Sequence, residues 1–169
     1  MKLTEELMAD LDRESPITAR ALEAVPAGRD DWKPHPKSMP LGRLAALVAM
    51  MPSWLTMMVA QDEFDVAPPP GTPSQFSIQA ASAKELAETV TRGFAGARQA
   101  IAGTTDDHLL KPWRLKARGQ VVGEGTRLSM MRDALMHLSH HRGQLTVYLR
   151  MNDVAVPSIY GPTADDPRF

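Results

Sequence analysis

The chain has 169 residues, with 43% hydrophobic and 23% charged side chains, which suits one globular domain large enough to bury a core unaided. Its 19 Lys and Arg nearly balance its 20 Asp and Glu, and no Lys/Arg-rich run occurs, so the electrostatic footprint of a nucleic-acid-binding protein is missing. There is no cysteine, which excludes disulfides, thiolate metal sites and cysteine nucleophiles and fits a reducing, cytoplasmic setting.

The N-terminus, Met1 to Glu14, is acidic and amphipathic, unlike a signal peptide with its basic start and apolar core. Leu7, Leu11, Thr18, Leu22 and Val25 recur at helical spacing, and Pro16 is expected to interrupt and kink that first helix. Ala27 to Pro40, with Gly28, Pro34, Pro36 and Pro40, reads as a connecting loop. A second helix begins near Pro40 and Leu41, with the stripe Leu44, Leu47, Val48, Met51, Leu55 and Met58 and a bend at Pro52. Leu44 to Ala60 is free of charge over 17 residues, short for a membrane span and closely bracketed by Arg43 and Asp62, so it reads as a buried helix rather than a membrane segment.

Pro68 to Pro73 marks a long loop. Ser82-Ala83-Lys84-Glu85 matches a capping box and opens a third helix, which buries Leu86, Val90, Phe94, Ala97 and Ile101 and stops at Gly103. Trp113 to Val122 allows a short hairpin around Gly119. A fourth helix runs from about Thr126 to Met151 on Met131, Leu135, Leu138, Leu145 and Leu149, with Asn152 as a left-handed terminator and an extended tail behind it. Four amphipathic stripes are buried most simply in an all-α, four-helix bundle.

Among the five histidines, His137, His140 and His141 share the last helix. His137 and His141 are four apart, so both imidazoles reach one ion from one helix face; His140, three from His137, is the other partner that spacing allows it, but adjacent residues diverge by about 100°, so His140 does not easily join both. Such a pair is more often part of a polar helix edge than a metal site, and catalytic zinc ordinarily takes three protein ligands plus an open position. Gly143, inside the helix, suggests a close helix approach or room beside the histidines. Arg142 suits either a substrate carboxylate or an acid on a neighbouring helix. Trp32, Trp54 and Trp113 read as core or loop anchors, with a pocket wall as the other use, and Met50, Met51, Met57 and Met58 read as core filler.

The run HLSHHRGQLTVYLRMND from His137 to Asp153 resembles the last helix of DinB/YfiT-like proteins, with their HxxxHRGQ signature. Asp31 to Ser38, Leu41-Gly42-Arg43-Leu44-Ala45 and the tail Pro157 to Pro162 extend the resemblance over nearly the whole chain. It implies a four-helix bundle, often homodimeric, with a three-histidine divalent metal site holding zinc or nickel. His137 and His141 correspond to two ligands. The third, in a pattern like LGxLAxH, falls at Leu47, which cannot bind a metal. His35 and His108 are not evident replacements.

The resemblance leaves two readings open. One is a metal-dependent enzyme related to transferases that use a low-molecular-weight thiol, acting on a small-molecule substrate. The other is a non-catalytic binding or structural homodimer that has lost its metal site.

Overall fold

The computed structural model describes residues 2–68 and 81–168; the run from Pro69 to Pro73, expected to form a loop, lies outside them. The first helix, α1, spans Leu3–Glu23 and buries Leu7, Leu11, Thr18 and Leu22 as its spacing requires. Pro16 sits inside it without ending it, contrary to the expected interruption. Proline removes a single i→i−4 bond, and the apolar stripe continues on both sides of it. The start of α1 is held from afar, because the Asp106 carboxylate accepts the Leu3 and Thr4 amides at 3.0 and 3.1 Å.

The expected second helix is two helices, α2 (Leu41–Met50) and α3 (Ser53–Ala60), bent by 43° where Pro52 interrupts the ladder. Leu44, Val48, Met51, Leu55 and Met58 are buried, whereas Leu47 is only half-buried. The bend is filled from α4 (Ala83–Ala102), where a Cβ on Gly93 would stand 3.2 Å from that of Pro52. The capping box forms: the Ser82 hydroxyl accepts the Glu85 amide at 3.3 Å, and Glu85 accepts the Ser82 amide at 2.8 Å. Gly103 caps the far end of α4, which packs along α1. Among the described residues no single helix is long and apolar enough to cross a membrane; the bent α2–α3 pair passes by length and composition, but its apolar stripe is spent on the core.

The all-α expectation is corrected by a small sheet. Strands β2 (Pro112–Ala117) and β3 (Gln120–Thr126) form the hairpin, joined by Arg118 and Gly119 at φ 54° and 77°, the backbone a tight hairpin turn demands. A further strand, β1 (Glu63–Asp65), pairs parallel to β2 and had no signal of its own at three residues. The Asp65 carboxylate binds the turn to β1 by accepting the Gly119, Arg118 and Ala67 amides, which hold its pKa below the usual carboxylate range. A one-turn helix, α5 (Asp106–Leu109), precedes the hairpin.

The last helix, α6, spans Arg127–Met151, with Thr126 accepting the Ser129 amide at 3.1 Å. Its first residue is buried: the Arg127 guanidinium donates to the Met58 and Gln61 carbonyls at the end of α3 and pairs with Asp62. At the other end, Asn152 is not left-handed (φ −105°); Asp153 is, at φ 58°. The Asn152 side chain instead donates to the Tyr148 carbonyl at 2.9 Å.

Arg142 and Glu14 are the most consequential buried pair. With 1% and 4% exposure, they meet at 2.7 Å between α6 and α1. Arg142 also donates to the Thr18 hydroxyl at 2.6 Å and to the Tyr160 hydroxyl, and Tyr160 donates to Glu14 at 2.9 Å, drawing the tail onto the helices. The tail is thus docked rather than merely extended. Its own lock is Asp166, which accepts the Ser158 amide at 2.9 Å and pairs with Arg168.

Removing one partner of a buried ion pair leaves the other charge unsatisfied. Glu14→Gln should therefore lower the free energy of unfolding by about 3 kcal/mol, measured by urea titration. A loss below about 0.5 kcal/mol, typical of a surface site, would contradict the role given to this pair.

Candidate functional site

Helix α6 carries His137, His141 and Gln144 along one side, at intervals of four and three residues. The rings of His137 and His141 lie 4.6 Å apart between centroids, so the pair expected from spacing is brought together. His140 also approaches His141, at 5.1 Å edge-on, despite its different helical direction. Gln144 explains this: its Oε1 lies 2.8 Å from Nδ1 of His141, and its Nε2 lies 3.1 Å from Nε2 of His140. An amide oxygen can only accept, so His141 carries its proton on Nδ1 in this contact and leaves the lone pair of the neutral ring on Nε2. Gln144 thus orients His141 as outer partners orient metal-binding histidines.

The other two histidines stand elsewhere. His35 is exposed in the loop before α2, where its Nδ1 accepts the Lys37 amide at 3.1 Å. His108, on α5, lies with Nε2 3.0 Å from the Val59 carbonyl. Among the described residues no group of three or more His, Asp or Glu is placed to hold one metal ion. Two imidazoles do not make up the donor set of a three-histidine centre.

Beside His137 opens a cavity of about 490 Å³. Its walls come from α2 and α3 (Leu47, Met50, Trp54), from the sheet (Phe64, Trp113, Leu115) and from α6 (Met130, Asp133, His137). Leu47 and His137 line the same space. Trp54 approaches His137 with centroids 6.0 Å apart. Met51 and Met58 are buried as expected, but Met50 and Met57 are half-buried cavity lining rather than core filler. Trp113 is buried and lines the cavity as well, and Trp32 packs edge-on against Tyr148 at 5.5 Å.

Arg142 faces away from this cavity and is committed to Glu14, so it is the helix-acid partner and not a substrate clamp. At Gly143 a Cβ would meet nothing within 4 Å, so no neighbouring helix of this chain explains it. The hairpin wall and Asp133 were not singled out from the sequence. The position of Asp133, one turn before His137, was the available signal.

No protein-family model matches the chain. The curated protein YrdA of Bacillus subtilis (strain 168), described as uncharacterized, is 33% identical over 85 residues, covering 50% of this chain and 48% of that protein. The match therefore spans about half the length of this relative. A crystal structure of a DinB-like protein from Bacillus cereus ATCC 10987 superposes with a TM-score of 0.69 at 21% identity, covering 92% of this chain and 97% of that one. A second DinB-like protein, YjoA from Bacillus subtilis, gives 0.63 at 16% identity over 88% and 92% of the two chains. The chain has the DinB-like fold.

Burial pushes the pKa of His137 below its usual value, and the nearby His141 and His140 push it the same way. A proton-detected NMR titration should place the His137 midpoint below 6.5, the ordinary histidine value. The unfolded chain then takes up this proton first, so the contribution of His137 to stability is intact above that value and falls as pH drops through it. A midpoint above the ordinary value would contradict the arrangement. In the same spectra His141 should be the Nδ1–H tautomer, and Gln144→Leu should release it toward Nε2–H.

Proposed function

We propose that this chain is a DinB-family protein, its four long helical segments forming the family's bundle, that binds a small apolar molecule in the cavity beside His137. The observation that carries the reading is the composition of the wall. Leu47, which the resemblance puts at the third-ligand position, lines the cavity together with Trp54, Trp113, Met50 and Met57. A concave, mostly apolar space with few polar groups is how small-molecule sites are built. His137 and His141 then form a weak site for zinc or nickel, and no catalytic step is derived from an ion there.

The metal-dependent thiol-transferase reading has one observation in its favour. Gln144 leaves Nε2 of His141 as the lone-pair nitrogen, as ligation requires. That arrangement suits a protein descended from a metal-binding ancestor whether or not it retains catalysis. We further propose a cytoplasmic homodimer. Exposed Met136, Val147 and Met151 fall with Gly143 along the outer side of α6, an apolar stripe beside an open glycine.

The test is Leu47→His. Without metal the variant should lose roughly 1–3 kcal/mol, because an imidazole without a partner replaces an apolar contact. Added zinc or nickel should restore that loss by mass action, and calorimetry should show at least tenfold tighter binding than in wild type. Equal weak binding by both proteins would mean that position 47 is not the ligand position. Tight stoichiometric binding by wild type would mean that another donor completes the site, and the binding-protein reading would fall.

A further inference from the structure

Among the described residues the cavity wall carries one carboxylate and one imidazole, that of His137. Asp133 is the carboxylate among its lining residues, and neither lysine nor arginine lines it. Four cations on the sheet and on α6 are paired with acids outside the cavity: Arg114 with Glu124, Lys116 with Glu63, Arg127 with Asp62, and Arg132 with Glu6. Asp133 itself makes no hydrogen bond or ion pair with the described residues.

An exposed carboxylate needs no partner beyond water, and Asp133 is exposed. Filling the cavity changes that. A molecule lodged against Trp54, Met57 and Met130 displaces water from the wall that Asp133 shares. The carboxylate is then partly desolvated, and only a donor on the ligand can compensate. A neutral ligand would leave it short of partners, and an anion would be repelled.

Resting on the cavity-binding reading above, we propose that the ligand is a small apolar or aromatic molecule carrying one protonated amine, with the amine held by Asp133. The aromatic wall suits this charge too, since indole faces attract ammonium groups. The four methionines of the lining, Met50, Met57, Met58 and Met130, give an adaptable surface for a ring-shaped body.

Three probes of one shape and different charge test the proposal by calorimetry on the intact protein: naphthylmethylamine, naphthalenemethanol and naphthoate. Wild type should bind the amine about five- to tenfold more tightly than the alcohol, with the acid weakest. Asp133→Asn should bring the amine down to the level of the alcohol and leave the alcohol unchanged. Its melting temperature should match wild type, since the side chain holds no structural contact. Leu47→Trp, which puts a bulky indole into the cavity, should abolish all three. Equal binding of amine and alcohol by wild type, or an amine preference that survives Asp133→Asn, overturns the amine assignment while leaving the cavity reading standing. Failure of all three probes, or binding that survives Leu47→Trp, overturns the cavity reading and the amine assignment with it.

Discussion

A guanidinium taken out of water has to be paired, and the contact of Arg142 with Glu14 fixes how α6 can sit. Once Arg142 points at α1, the rotation of α6 about its own axis is set. Residues one position away diverge by about 100°. The side carrying His137, His141 and Gln144 is therefore turned away from α1, and His137 reaches the cavity lined by α2 and α3. The Tyr160 hydroxyl, between Glu14 and Arg142, ties the C-terminal tail into the same network. The four-residue run His141-Arg142-Gly143-Gln144 thus divides its labour by direction: arginine inward for the fold, histidine and glutamine toward the site.

The helices were legible because each advertises its buried stripe and its start. Ser82 and Glu85 fixed the beginning of α4, and Thr126 that of α6. The sheet was only half legible. Gly119 signalled the turn, but β1 is three residues long and takes its partner from a distant part of the chain, which no local pattern records. Pro16 misled because a proline signal is local, whereas the packing of α1 against α4 spans the whole helix. The left-handed residue after α6 fell one position late, at Asp153, a shift within the usual uncertainty of helix ends.

The site was readable in its histidines and not in its walls. His137 and His141 follow from spacing, and Leu47 from its correspondence to a ligand position. The rings of His137 and His141 lie together, and His137 and Leu47 line one cavity. Trp113, Leu115 and Phe64 reach that cavity only through the sheet, so their part in it depended on tertiary structure. The result combines an oriented imidazole pair with an apolar opposite wall. On the proposed reading, leucine in place of a donor favours ligand burial at the expense of metal affinity, and the methionines and tryptophans around it act in the same direction.

The most direct measurement of this account is the metal content of the protein purified without a histidine tag and dialysed against metal-free buffer. Two imidazoles, with leucine at the position that the resemblance gives to a third ligand, predict far less than one zinc or nickel ion per chain. One ion per chain that withstands dialysis would contradict it, because a centre that tight needs a donor this arrangement does not contain.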